Sequence, residues 1–358
     1  MSERGGRLIG DAELVELAAV AESVGLLRLG IVRLDHEGFA PARAALDRYL
    51  ADGREGEMDF IARTAAVRRD PALMLEGAAS LLVAVVPYRG TPGAIARYAQ
   101  SADYHTVLHD RLDSVVAALD RLAPGSRSLV CVDTKPVLER AAAALAGLGF
   151  IGKHGCVIVP GLGSWVLLGC VLTTAQWRGA TPSVDLARVR WDACGSCTRC
   201  LDACPTRAFV APGELDPRRC ISYLTIEHRG AIADELAAAM GERLAGCDVC
   251  QEVCPYNAAP DREERVPAAA WIDPPPRGPR AADPWRLVDI GSATYRAWVK
   301  STAVRRVARR SMRRNALLVI GNRAAPLSAE QRARVAALVD DPDPQIAAAA
   351  RRALALRS

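Results

Sequence analysis

No apolar run in this 358-residue chain is long enough to cross a bilayer. The longest, 81–87 and 165–172, fall well short of the roughly 20 residues a spanning helix needs. The opening Met1-Ser-Glu-Arg-Gly-Gly has neither an apolar stretch nor a twin-arginine signal. The cytoplasm is therefore the expected address, and no membrane partner is expected. Nucleotide fingerprints are missing too. The glycine-rich loop Gly149-Phe-Ile-Gly152-Lys153-His154-Gly155 has neither Walker A nor dinucleotide spacing. Lysine is nearly absent, occurring only as Lys135, Lys153 and Lys300. Arginine carries almost all the positive charge, a bias that reads as base composition and by itself names no partner. Half the residues are apolar, which excludes wholesale disorder, and the length allows two or three domains.

What is abundant is cysteine, eleven in all. Cys194-Gly-Ser-Cys197-Thr-Arg-Cys200-Leu-Asp-Ala-Cys204-Pro205 has the spacing with which bacterial ferredoxins hold [4Fe–4S] clusters, the fourth cysteine ligating the other cluster. Cys247, Cys250 and Cys254-Pro255 repeat its last three positions, with Leu244 where a first cysteine would fall. Cys220 can fill that vacancy, which makes eight thiolates, enough for two four-cysteine clusters. With the fourth ligand exchanged, Cys194, Cys197, Cys200 and Cys254 hold one cluster. Cys204, Cys220, Cys247 and Cys250 hold the other. Zinc and disulfides are the competing readings, but zinc sites rarely use this run, and crowded ligand thiols require a reducing compartment. Cys131, Cys156 and Cys170 sit in apolar runs and read as inert core thiols.

Ahead of the cysteines the pattern mixes helices and strands. Residues 11–24 place Leu14, Leu17, Ala18 and Ala21 at helical spacing before Gly25. Further helices are expected over 41–51, 106–122 and 137–148. Strands are expected over 26–32, 80–87 and 128–132, with 156–159 and 165–173 forming a hairpin. Asp133 follows a strand, where α/β proteins open a ligand crevice. It also reads as a cap for the next helix, with Pro136 in the first turn. His105 and His109 have metal-ligand spacing but no third ligand nearby, so a solvent-facing or substrate-contacting role is expected.

From residue 295 onward the chain reads as helical, over 295–310, 312–322, 329–339 and 345–354. Its end resembles one HEAT-type repeat, which must pack on the preceding helices. Lys300, Arg305, Arg306, Arg309, Arg310, Arg313 and Arg314 occur there with no acid among them. Such a cluster suits a phosphate backbone, although a solvated helix face has the same pattern.

These residues together resemble a known family, the tRNA epoxyqueuosine reductases, which are cobalamin-dependent iron–sulfur enzymes that finish queuosine at the anticodon wobble base. The likeness runs through 53–60, Arg69-Asp70-Pro71, Tyr98, Asp103-Tyr104-His105, Asp133-Thr134 and Pro136-Val-Leu-Glu139-Arg140. It continues through 146–153, Gly163-Ser164-Trp165, the cysteine run, Cys220-Ile-Ser222-Tyr-Leu-Thr225 and Arg314-Asn315-Ala316. It implies an α+β/α/β fold. A cobalamin-binding core would span 1–185, a ferredoxin-like two-cluster insert 186–260, a wrapping arm with Pro-Pro-Pro 261–294, and a basic HEAT-like domain 295–358.

The resemblance also implies roles. Asp133 would be the proton donor, a carboxyl group made less acidic by burial beside the corrin. Asp133, Lys153, His154, Ser164, Leu168, Ser222 and Asp248 would contact cobalamin. His228, Arg229, Arg305, Arg306, Arg313 and Arg314 would face tRNA, bound through an anticodon loop of GUN type. A flavodoxin or ferredoxin would supply electrons to a monomeric enzyme. Lys135 and Ser101 depart from the family pattern, and Lys135 beside the acid would lower its pKa or face phosphate. A reductive-dehalogenase-like reductase of a small molecule has the same cofactors but no use for the arginine-rich tail. A ferredoxin-like carrier has no use for so long a chain ahead of the clusters.

Overall fold

Ser80–Pro87, eight residues buried along their whole length, form the strand on which the molecule is built. In the computed structural model, which describes residues 7–179, 192–258, 266–272 and 282–357, this is the third strand. In chain order the strands of the first part are β1 (Leu8–Ile9), β2 (Arg28–Arg33), β3 (Ser80–Pro87), β4 (Ser128–Cys131), β5 (Phe150–Ile151), β6 (Val157–Ile158), β7 (Val166–Thr173) and β8 (Gln176–Trp177). Four of them make one sheet in the order β2-β3-β7-β4. Every pairing in it is antiparallel.

Alternation along β3 divides the interior. Leu82, Ala84 and Val86 join one apolar core, while Leu81, Val83 and Val85 join a second on the other face. That is the period of two that a strand buried on both faces imposes. The helices Asp11–Ser23 and Tyr104–Leu122 cover the first face, the latter through Leu108, Leu112, Val115 and Leu119. A side chain at Gly169 of β7 would come within 2.8 Å of Leu112, so glycine is what admits this helix so closely. The alanine-rich helix Glu139–Leu145 covers the second face.

The sheet corrects two expectations. No strand of it runs parallel to a neighbour, so the crevice rule for parallel sheets does not explain where Asp133 lies. Nor do the expected strands 156–159 and 165–173 pair as a hairpin. β6 pairs with β5, and β7 inserts between β3 and β4, because its longer apolar run fills the centre. Val159 and Gly163 close only a tight turn between them.

The C-terminal helix Arg309–Asn322 packs against Pro344–Ala355 on one side and the cysteine segment on the other. One apolar core runs without interruption from the first sheet face through Ile221, Leu224 and Leu244 to Leu317, Leu318 and Ile320. The expected helix 295–310 is in fact Ser292–Val299, a break at Ser301 (φ 61°), and a 3-10 turn Ala303–Arg306. The junction expected at 294/295 falls inside the helix Ser292–Val299. The junctions expected at 185/186 and 260/261, and the Pro-Pro-Pro segment, lie outside the described residues.

Arg314 is wholly buried in this arrangement. Its guanidinium donates to the carbonyl oxygens of Leu224, His228 and Gly230 and to the Asn315 side chain. Asn315 in turn donates to the carbonyls of Thr225 and Leu244. Burial pulls the Arg314 guanidinium down to about 10, which still leaves it charged at neutral pH. Arg314→Met would orphan three buried carbonyls and should cost about 3 kcal/mol or more. Anaerobic thermal unfolding followed by circular dichroism should show a clear drop in midpoint. An unchanged midpoint would mean these bonds do not join the two segments.

Candidate active site and cluster ligands

Asp133 is the second residue beyond β4, and its backbone is left-handed (φ 51°). Non-glycine residues in that region carry strain and tend to be held there by their surroundings. Here the holding groups are visible. The backbone N–H of Asp133 donates to Glu139 Oε1 at 2.9 Å. Its Oδ2 accepts the Tyr104 hydroxyl at 2.9 Å and lies 3.3 Å from His105 Nε2. Asp133 does not cap the next helix, which starts only at Glu139 with Leu138 at the cap position.

The other end of the imidazole is clamped as well. His105 Nδ1 is 2.7 Å from Asp103 Oδ1. Asp103 caps the helix Tyr104–Leu122 through the His105 amide, which fixes the carboxylate before the ring reaches it. The His105 ring stacks on Tyr104 with 4.0 Å between centroids. Arg305 Nε lies 3.6 Å from Asp103 Oδ2. His105 is thus the middle of a chain from Arg305 through Asp103 to Asp133.

The charges follow from these contacts. The His105 hydrogen bond is the largest influence on Asp133 and holds its carboxyl below the usual value, against burial, with Tyr104 assisting. Burial alone was expected to make this acid weaker, so the expected direction is reversed. Lys135 is exposed and is not the cation responsible. Burial pushes His105 down, yet its hydrogen bonds to Asp103 and Asp133 outweigh that and raise it to about 9. Glu139 is pushed up to about 8, first by burial and then by the neighbouring Asp133 charge. At neutral pH the dissociable protons sit on His105 and Glu139, and Asp133 is ionised.

None of the eleven cysteines is in a disulfide. The eight of the cysteine segment gather in two sets. Cys200 and Cys254 feel each other and both Cys194 and Cys197. Cys220 feels Cys247 and Cys204, and Cys250 feels Cys156, Cys220 and Cys247 and, across the sets, Cys200. Among the described residues no three cysteine sulfurs lie within 4.8 Å of one another. The C-x₂-C-x₂-C-x₃-C-P spacing of the donor set is that of [4Fe–4S] ligation rather than of zinc. Cys131 and Cys170 are buried core thiols, whereas Cys156 stands beside Cys250 and Cys254.

Lys153 is turned to this segment, its Nζ donating to the carbonyls of Gly195 and Cys197 at 2.6 and 3.1 Å. His154 is buried and held neutral, its pKa lowered to about 4 by burial. Its Nδ1 accepts the Cys156 amide, which leaves Nε2 as a buried N–H with no partner. Ser164 is also buried. It is bonded to Asn257 and Gln251, with Gly163 (φ 76°) admitting the Asn257 side chain. Leu168 lies half-buried on β7 opposite Val85, and Ser222 is half-buried on the short helix Ile221–Ile226. Asp248 accepts the Arg97 amide at 2.8 Å and is raised to about 6 by burial. Ser101, a departure from the family pattern, is buried and donates to the Tyr98 carbonyl.

Arg305 and Arg306 are exposed, Arg306 pairing with Glu227 and lying over the Phe60 ring. Arg229 is exposed, and His228 leans on Glu57. Arg313 and Arg314, grouped with them from sequence, do not share that surface. Arg313 is spent on the Val288 carbonyl and Asp341, and Arg314 is buried as described. Helical phase decides this, turning Arg314 to the cysteine segment and Arg313 to the helix Pro284–Val288 and Asp341. Glu139 was part of the family likeness but carried no assigned role, and Tyr104, with Tyr98 and His105, was a candidate only for contact with an RNA base. The Asp-x-His spacing at a helix start was the available signal.

An antiparallel core presenting a carboxylate–imidazole–carboxylate chain, joined to two open sets of four cysteines, defines an iron–sulfur reductase. Residues 193–257 match the family described as 4Fe-4S double cluster binding domain, and residues 68–134 match Epoxyqueuosine reductase QueG, DUF1730. The chain is 37% identical to the epoxyqueuosine reductase of Gloeobacter violaceus over 86% of this chain and 95% of that one. It is 34% identical to the enzyme of Vibrio cholerae, over 86% and 82%. A solved epoxyqueuosine reductase with an epoxyqueuosine-modified tRNA-Tyr stem loop superposes with a TM-score of 0.80 at 30% identity, over 96% of this chain and 89% of that one. The chain belongs to the epoxyqueuosine reductase family, and its double-cluster domain binds two [4Fe–4S] clusters.

The exchanged pairing has a direct test. Replacing Cys194 and Cys254 together by alanine should remove no more iron than replacing either one, leaving about four of eight atoms. Replacing Cys204 and Cys254 together should remove nearly all. Equal losses in the two double variants would refute the exchange.

Proposed function

We propose that this protein reduces epoxyqueuosine to queuosine at the wobble position of tRNA anticodons, the last step of queuosine biosynthesis. The observation that carries this reading is Asp133, fixed in a left-handed turn by Tyr104, His105 and Glu139, in a chain that also holds the paired cysteines. Removing an epoxide oxygen as water takes two electrons and two protons. The cysteine segment is the electron source, with Cys194, Cys197, Cys200 and Cys254 on one cluster and Cys204, Cys220, Cys247 and Cys250 on the other. Asp133 directs a proton to the departing oxygen.

The second cofactor of this reading is cobalamin. The residues suit a large amide-bearing ligand, since the buried His154 N–H lacks an acceptor and Ser164, Leu168, Ser222 and Asp248 come from neighbouring elements. When bound, cobalamin supplies the metal centre that passes electrons from the clusters to the substrate. The protein's part is to enclose it, exclude water and hold Asp133 on the substrate side. Lys153 serves the cluster loop in this scheme, through its bonds to Gly195 and Cys197.

Exposed Arg305 and Arg306, with His228 and Arg229, supply the cationic surface for an anticodon loop of GUN type. The C-terminal helices act as a HEAT-like buttress behind it. A flavodoxin or ferredoxin donates the electrons to a monomeric, cytoplasmic enzyme. Among the described residues no helix is long and apolar enough to cross a membrane.

Anaerobically purified protein loaded with cobalamin should retain about eight iron atoms and stoichiometric corrinoid, and should convert an epoxyqueuosine stem loop. Asp133→Asn should keep iron and corrinoid but lose single-turnover product, and normal product formation would remove Asp133 from the role. Arg305→Glu with Arg306→Glu should abolish stem-loop binding without loss of iron. Unchanged affinity would count against the RNA-facing assignment.

A further inference from the structure

We infer that His105, clamped between the carboxylates of Asp103 and Asp133, is the positioning residue that holds the proton Asp133 delivers to the departing epoxide oxygen. The inference rests on the proposed reduction, in which Asp133 faces the substrate. Three observations carry it. The imidazole is bonded at both nitrogens, 2.7 Å to Asp103 and 3.3 Å to Asp133, so its Nε2–H is aimed at the reacting carboxylate. The ring is locked in that orientation by stacking on Tyr104 and by the cap that fixes Asp103. The Asp133 side chain is 63% exposed and that of His105 28%, so Asp133 is open to substrate and the imidazole can be recharged from solvent.

Every charged group around the pair is consistent with this division of labour. Asp103 is ionised and steadied by Arg305, and Arg306 adds positive potential at Asp133. Tyr104 donates to the Asp133 oxygen that also meets His105. Behind them, Glu139 is half-buried and mostly protonated at neutral pH, and Arg68 feels both Glu139 and Asp133. Half-buried Tyr98 packs edge-on against Tyr104 and stays a neutral phenol. An ionised Asp133 has no proton of its own to give, and the adjacent imidazolium has one. In the step, the Nε2–H bond of His105 breaks and Asp133 Oδ2 takes up that proton. Asp133 passes it to the oxygen as the first C–O bond breaks. The second C–O bond breaks with a second proton delivered by the same pair once His105 is recharged, so that the oxygen leaves as water, the two electrons arriving from the reductant already named. His105 is left neutral and takes its next proton from water.

His105→Gln keeps an amide hydrogen for Asp133 but no mobile proton. At neutral pH, single-turnover product formation should fall about a hundredfold, while iron content, corrinoid retention and stem-loop affinity stay at wild-type values. Wild-type single-turnover rates should fall as pH rises through about 9, where His105 loses its proton. Asp103→Asn should move that limb to lower pH, because one of the two charges stabilising the imidazolium is gone. A readout independent of turnover is a titration of the histidine-labelled, cluster-loaded protein by NMR. One imidazole should titrate near 9, and His105→Gln should delete that resonance. Wild-type turnover rates and an unmoved limb in both variants, or a His105 that titrates at the ordinary histidine value, would overturn the inference. If His105→Gln fails to load iron, the Asp103→Asn limb and the wild-type titration still decide it. Loaded wild-type protein that never converts the stem loop would sink the proposed function, and this inference with it.

Discussion

Cysteine loops that surround clusters fold into pieces too short to satisfy their own backbone. The helices Arg199–Asp202 and Val249–Glu252 have four residues each, so the carbonyls at their ends have no partner within the helix. Buried groups of that kind must be paired from elsewhere. In this protein the stretches around those short helices are paired from two directions. Arg314, Asn315 and Asn322 reach in from the C-terminal helix to carbonyls between Leu224 and Leu244. From the sheet side, Lys153 bonds Gly195 and Cys197, and Ser164 bonds Asn257 and Gln251. The segment is a wedge held on both flanks, which explains why one apolar core runs through all three parts of the chain.

The same dependence on hydrogen bonds decides the acid–base character of the site. Burial would make Asp133 a weaker acid, but two donors on one carboxylate oxygen outweigh desolvation. Glu139, close by and less exposed, lacks such donors. It accepts only the Asp133 amide, and burial pushes it up to about 8. Two neighbouring carboxyls are therefore driven apart, one ionised and one mostly neutral at pH 7, with a charged imidazole beside the first. Environment rather than residue type sets each role.

How much of this was legible depended on the range of the interaction. Strand Ser80–Pro87 and helix Tyr104–Leu122 are set by local periodicity and matched the expected spans almost residue for residue. The partner of β7 is not a local property, and adjacency in sequence wrongly suggested β6. Cysteine spacing carried the two-cluster reading because ligand geometry restricts loop length. Asp133 stood out in the sequence as an acid just beyond a strand, but the sign of its shift was not legible, since His105 approaches from 28 residues away. Arg313 and Arg314 misled for a similar reason. A run of arginines looks like one surface until helical phase sends some of them inward.

The break between Val299 and Ala303 binds the two functions of the molecule together. Ser301, in a left-handed conformation, offers its carbonyl to the Asp103 amide at 2.8 Å. Four residues on, Arg305 reaches the Asp103 carboxylate while 70% of its side chain remains in solvent. The next residue, Arg306, pairs with Glu227 and still adds positive potential at Asp133. The surface proposed to face RNA is thus electrically continuous with the carboxylates on either side of His105. Charge reversal at Arg305 would weaken RNA attraction and also set a negative charge beside Asp103. The two effects separate by observable. Affinity reports the phosphate contact, whereas the position of the alkaline limb reports the field at His105. A variant that moved only the first would show that the surface acts by attraction alone. One that moved both would show that the bound RNA and the proton-holding histidine share one electrostatic network.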